Sequence, residues 1–248
     1  MQLKTDFPYY SGQPVEIGLL GWLAILASVV AAFLLLTHLP FAAFPLYLIQ
    51  PIVFTGLPLL TLALVSGGHH TALFGRVGIK QVLMALGFGV LTLVVSMAVG
   101  LLLMQVTTMT ANTAASGLAD YSTFDTVMFL VRTAIQLVGE EVMTMLPLLA
   151  VLWFCVRKLN LSRRTGLIVA VIVSTLWFAA VHLPTYNWNF IQCFGGIGAA
   201  RLVLTAAFLL TRNLWVSAGA HIVNDWTEFF LPVVLAGAAG HVPIDTAG

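Results

Sequence analysis

The sequence predicts an all-α, polytopic membrane protein, a single bundle of about seven transmembrane helices. Three observations carry that prediction. The chain of 248 residues is 60% hydrophobic and 8% charged, where a soluble domain carries about 25% charge. Its mean hydropathy is +1.03. Its apolar residues fall in runs of about 20, the length that crosses a ~30 Å hydrocarbon core at 1.5 Å per residue.

Those runs lie at 17–36, 44–65, 82–104, 124–155, 165–183, 190–211 and 214–236. The first is too long for the apolar core of a cleaved signal, and Asp6 and Glu16 offset Lys4, so it reads as a span. The fourth is long enough to tilt or to break near Gly139 or Pro147, and splitting it gives an eight-helix version. One interrupted helix is preferred, because alternation then sorts the loop charges completely. Lys4, Arg76, Lys80, Arg157, Lys158, Arg163, Arg164 and Arg212 fall on one side. The loops at 37–43, 105–123 and 184–189 and the tail after 237 hold no Lys or Arg. The positive-inside rule then makes the N-terminus cytoplasmic and the C-terminus external. No internal repeat or linker divides the chain, so 1–248 reads as one membrane domain. The polar loop TTMTANTAASGLADYSTFD reads as an external connection or a short surface helix.

A net charge of +1 offers no basic surface for nucleic acid. Cys155 and Cys193 sit far apart in apolar segments, form no CxxC pair and read as buried small residues. The lipid bilayer is the first partner implied; the oligomeric state is not legible.

The informative residues are polar ones inside the spans: Arg132, Glu140, Glu141, His182, Arg201, His221, Asp225 and Glu228. Each charge at mid-membrane costs roughly 2.5–3.5 kcal/mol on insertion scales, so such residues are paired or used. Arg132, Gln136, Glu140 and Thr144 repeat every four residues and form one stripe. Glu141 lies about 100° around from Glu140, so both face one cavity only if it is wide. His221, Asn224, Asp225 and Glu228 occupy one face of the last helix. Phe178 precedes His182 by one turn, and Pro184 ends that helix. Counting from the basic side, Glu140 lies about 22 Å deep, Asp225 about 18 Å, His221 about 12 Å and His182 about 26 Å. The two histidines meet only if helices tilt.

In order along the chain stand a Glu-Glu pair, Phe-x-x-x-His and His-x-x-x-Asp: Glu140-Glu141, Phe178 to His182, and His221 to Asp225. This set resembles the CAAX protease and bacteriocin-processing (CPBP, or Abi) family, which includes the type II CAAX prenyl endopeptidases. The resemblance covers about residues 136–230, and TRNLWVSAGAHIVNDW is similar to the last motif and its lead-in. HLPTYNWN is similar to bacterial members, which implies a bacterial plasma membrane. Two positions depart: Met145 stands where many members have Arg, with Arg132 and Arg201 as the candidate replacements, and Asp225 stands where Asn is frequent.

The resemblance implies an intramembrane endopeptidase acting on a membrane-associated or lipidated peptide. Glu140, with His182, would activate water. His221 and the residue at 225 would stabilise the oxyanion. Glu141 would tune Glu140 or hold a pocket donor, and Asn224 would serve as a second donor. No cofactor is expected. A zinc version would use Glu140, His182 and His221, although HExxH is absent. Two readings from other classes stand beside the protease: a proton-coupled transporter, since intramembrane Glu, Asp and His form proton relays, and a non-catalytic immunity or scaffold partner.

Overall fold

A computed structural model describes residues 6–112 and 116–239. Lys4, the middle of the polar loop and the tail from residue 240 lie outside the described residues. Among the described residues there are seven long helices: α1 (Leu19–His38), α2 (Ile49–Val65), α3 (Ile79–Leu103), α4 (Thr123–Trp153), α5 (Arg163–Val181), α6 (Gly198–Thr211) and α7 (Leu214–Ala239). Six spans, α6 counted with the turn that precedes it, are long and apolar enough to cross a membrane. α7 is 26 residues long, and its polar stripe dilutes its hydropathy.

The outer faces are apolar and open. α3 alone exposes Leu83, Val94, Met97, Leu101 and Leu102, an arrangement that suits lipid and not water. α4 is the opposite case. Every residue from Gly139 to Ala150 is buried, because α2, α5 and α7 pack around it. The helix that carries the two glutamates is therefore the axis of the bundle.

The expected interruption of α4 is not found. The helix runs unbroken for 31 residues through Gly139 and Pro147. Packing on all sides holds the backbone helical where proline removes one hydrogen bond, and no eighth helix arises. The irregularity lies elsewhere, in two π-helical stretches. Phe154–Lys158 ends α4, and Ile191–Ile197 leads into α6. The polar loop contains a short 3₁₀ turn, Leu118–Asp120. Its Thr110 is bound by Gln192, which accepts from the Thr110 N–H at 2.8 Å and donates to its carbonyl at 2.8 Å.

Close helix packing depends on small residues. A Cβ on Gly139 would lie 2.5 Å from Thr55 Oγ1 and 2.6 Å from Phe54 Cδ1. Beside that contact Thr55 Oγ1 donates to the carbonyl of Ile135 at 2.7 Å, tying α2 to α4.

At the end of the bundle that carries the basic loops, the segment before α1 folds inward. Phe7, Tyr9, Tyr10 and Ile17 are buried, and Arg163 and Arg212 lie over the Phe7 ring. Arg163 pairs with Asp6 at 2.6 Å, and Tyr10 donates to the same carboxylate. Burial pushes the Asp6 carboxyl upward, but the hydrogen bonds from Arg163, Tyr10 and the Phe7 N–H outweigh it. The net result lies below its ordinary value.

Two predictions follow from this packing. Gly139→Ala overpacks the α2–α4 contact and destabilises by about 1–3 kcal/mol, read as a lower melting temperature in detergent; an unchanged melt contradicts the contact. A depressed Asp6 pKa contributes stability that is present above the unfolded carboxylate value of about 3.9 and lost as pH falls through the folded value. Asp6→Asn therefore lowers the melting temperature at pH 7 by a small amount, suited to a partly exposed pair. The difference from wild type shrinks as the pH falls below the unfolded value and through the depressed folded one.

Candidate active site

The two glutamates, one helix step apart, divide between two surroundings. Glu141 is completely buried and is gripped by Arg201 of α6 through two parallel bonds, Nη1 to Oε1 at 2.6 Å and Nη2 to Oε2 at 3.0 Å. Arg201 is itself completely buried, with its guanidinium 5.0 Å from the Phe178 ring centroid and its Nε on Thr205. A fork-to-fork pair of this kind fixes both orientation and charge balance. Met145, one turn beyond Glu141, is a completely buried apolar residue. The partner of Glu141 thus comes from another helix, α6, and not from the position one turn along its own.

Glu141 also accepts from His221 Nδ1 at 2.9 Å. That commits one imidazole nitrogen and leaves Nε2 facing two other carboxylates, Glu140 Oε2 at 3.8 Å and Asp225 Oδ1 at 3.5 Å. Glu140 is held from its own stripe, since Gln136 Nε2 donates to its Oε1 at 3.1 Å. On α5 the ring of His182 lies 4.5 Å from that of Phe178, which is 6.1 Å from His221. His182 Nδ1 is 2.7 Å from the Phe178 carbonyl. A carbonyl only accepts, so Nδ1 carries a proton in this contact, which leaves Nε2 as the nitrogen free to face the cavity.

These side chains surround one cavity of about 790 Å³. Glu140, His182, His221, Asp225, Glu228 and Arg132 all line it, and Glu141 does not. The structure thus brings together four of the five residues expected to carry chemistry and sets Glu141 behind His221. Asn224 also lines the cavity, but its Nδ2 is engaged by Asp225 Oδ1 at 3.0 Å and Glu228 Oε1 at 3.3 Å. It is a tie between carboxylates here, not an open donor. Among the described residues no group of three or more His, Cys, Asp or Glu side chains forms a set that could hold a metal ion, Glu140, His182 and His221 included.

Two lining residues were absent from the expected set. Gln136 belongs to the four-residue stripe of α4, so its spacing carried a signal. Tyr186 lies in the loop after His182, inside the HLPTYNWN stretch but with no helical spacing to single it out. Burial first, and then the carboxylates of Asp225, Glu228 and Glu140, hold its phenol above the ordinary value, so it remains a neutral hydroxyl at the cavity wall.

The mouth is equally informative. It is built from Thr37 and His38 at the end of α1, Gly100 near the end of α3, Met109 and Asn112 of the polar loop, and Pro184 to Tyr186 after α5. All lie at the loop end opposite Arg76, Lys80, Arg157, Lys158, Arg163, Arg164 and Arg212.

A pocket inside an apolar bundle, lined by carboxylates and two imidazoles from three helices, is an arrangement able to hold and activate water. The family comparison points the same way. Residues 122–227 match the family model described as type II CAAX prenyl endopeptidase Rce1-like, the family that the motifs resemble. The match spans less than half of the chain, from the start of α4 to the polar face of α7. No curated protein and no solved structure matches the chain.

The buried pair yields a test. Arg201→Met leaves the buried Glu141 charge with His221 as its remaining partner and destabilises by roughly 3–5 kcal/mol. The double variant Glu141→Leu/Arg201→Met recovers most of that loss. It does not restore the orientation of His221, so a melt that recovers without recovery of site function is the expected pattern.

Proposed function

We propose that the chain is an intramembrane endopeptidase that hydrolyses a peptide bond in a membrane-associated peptide, with Glu140 as the general base. What carries this reading is the convergence of Glu140, His182 Nε2 and His221 Nε2 on one cavity, with the other nitrogen of each imidazole already tied off. Water held between Glu140 and His182 Nε2 gives its proton to Glu140 as its oxygen attacks the substrate carbonyl carbon. The carbonyl oxygen becomes an oxyanion. His221 as its cation donates to it from Nε2, and the Tyr186 hydroxyl is a second donor within the same wall. Donors aimed at the developing charge in a dry site strengthen as that charge forms. The C–N bond then breaks, and Glu140 returns the proton to the leaving amine.

Glu141 and Arg201 are positioning residues in this scheme. They set the tautomer and direction of His221 without touching substrate. An ionised Asp225 cannot donate a hydrogen bond; its role is to hold His221 Nε2 near the reacting oxygen.

The proposed location is a bacterial plasma membrane with the N-terminus cytoplasmic. By the positive-inside rule the mouth of the cavity then faces outward, toward exported peptides or external segments of membrane proteins.

Three measurements test this. Prenylated CAAX peptides and exported leader peptides are incubated with purified protein in detergent and read by mass spectrometry. Glu140→Gln loses about 10²–10⁴-fold in rate, the usual value of a general base, with an unchanged melt. Chelator leaves wild-type cleavage as it was; its abolition would move the chemistry to a metal. For sidedness, Thr185→Cys is labelled by a membrane-impermeant maleimide in intact cells and Lys158→Cys only after permeabilisation, and the reverse pattern turns the mouth inward.

A further inference from the structure

The end of the bundle that carries the basic loops holds a smaller cavity that the proposed hydrolysis does not use. It is about 230 Å³ and is lined by Glu16, Trp153, Val156, Arg157, Lys158 and Asn160. Sites that enclose a drug-sized ligand run from roughly 300 to 1,000 Å³, so this hollow suits a smaller group. The surface it exposes is almost wholly polar. Two features of the chain build it. The π-helical stretch Phe154–Lys158 ends α4, and Asn160 follows in the left-handed region at φ 52°. The chain turns away just past Lys158 and leaves Arg157 and Lys158 on one hollow.

Their charges are not consumed. Arg157 Nη2 stands 3.5 Å from Glu16 Oε1, and both side chains are open to the surroundings. A loose exposed pair of this kind contributes little. Lys158 is in none of the ion pairs among the described residues. Its ammonium lies 5.4 Å from the centre of the Trp153 ring. Trp153 is buried and meets Trp22 with ring centroids 6.3 Å apart, so the core fixes the floor of the hollow. Its depth is that of lipid headgroups. Leu19 and Leu20, within a turn of Glu16, and Phe154, just before Arg157, are exposed apolar side chains that suit acyl chains beside it.

We propose that this hollow binds the headgroup of an aminophospholipid, a phosphate that carries a primary ammonium. The phosphate lies between Arg157 and Lys158, whose charge-assisted bonds match its oxygens. The ammonium takes the place of Arg157 at Glu16. One loose ion pair is exchanged for contacts to both charges of the headgroup. Attraction of phosphate to basic side chains is general at a membrane surface; the carboxylate in the same hollow makes the site selective. A quaternary ammonium has no N–H to give Glu16, and a glycerol headgroup has no cation.

Full-length protein in detergent is mixed with equal amounts of dioleoyl phosphatidylethanolamine, phosphatidylglycerol and phosphatidylcholine. The lipids that stay bound are counted by native mass spectrometry. Wild type is expected to retain the ethanolamine lipid over the choline lipid by about fivefold, the factor that one charged contact near a membrane surface is worth. Lys158→Gln and Arg157→Gln each lower that retention by a similar factor. Glu16→Gln turns the preference to the glycerol lipid. Arg164→Gln, at the same end of the bundle but outside the hollow, changes nothing. All four positions are exposed, so melting temperatures near that of wild type confirm that the variants fold. A wild type that does not discriminate, or an Arg164→Gln loss equal to that of Lys158→Gln, overturns the proposal. Inorganic phosphate at millimolar concentration is expected to leave the lipid in place; its complete displacement assigns the hollow to a free anion and overturns the lipid.

Discussion

The Glu141–Arg201 pair is the interaction on which the rest depends. It joins the central helix to α6 where neither charge can reach water. An isolated carboxylate there would be prohibitive, and an isolated guanidinium equally so. Once paired, Glu141 still has a lone pair for His221, so one ion pair fixes three helices relative to one another. Everything at the cavity wall follows. His221 is turned so that its second nitrogen faces Glu140, Phe178 lies beside Arg201 and both imidazoles, and of the two glutamates Glu140 is the one on the cavity.

This division also accounts for the adjacent glutamates. Residues one step apart on a helix point about 100° away from each other. With α6 on one side and a cavity on the other, a single Glu-Glu step supplies both an anion that ties two helices and one that faces the cavity. Substituting the first changes what the cavity can do. Substituting the second changes whether the helices stay assembled. Met145, one turn on, can be apolar for the same reason: the partner of Glu141 need not come from its own helix.

Much of the fold was legible because lipid imposes a length. With the short turns that lead into α2 and α6 counted, the seven runs predicted from hydropathy begin and end within a few residues of the observed helices, and Arg76, Lys80, Arg157, Lys158, Arg163, Arg164 and Arg212 fall in loops at one end of the bundle. The polar stripes of α4 and α7 were visible from their spacing and do face one cavity. Three things were not legible. Depth counting separated His182 from His221 because it assumed upright helices, whereas both rings pack near Phe178. Pro147 suggested a break because local chemistry says little about how tightly a helix is surrounded. Which arginine serves Glu141 is a matter of tertiary distance, and Arg132 and Arg201 carry the same local signal.

The π-helical stretch before α6 has a consequence for helix phase. Gln192 is fastened to Thr110 at the mouth, and Arg201, nine residues later, to Glu141 in the interior. In a uniform α-helix nine residues turn through about 900°, which sets the two side chains on opposite faces. Both nevertheless border the same cavity. The wider turns at Ile191–Ile197 absorb the surplus rotation, as a slipped gear tooth re-times a shaft. In this family of geometries the spacing of residues along α6 cannot be read with a 3.6-residue ruler. An insertion or deletion of one residue between Phe190 and Gly198 would rotate Arg201 away from its partner while leaving every hydropathy profile intact.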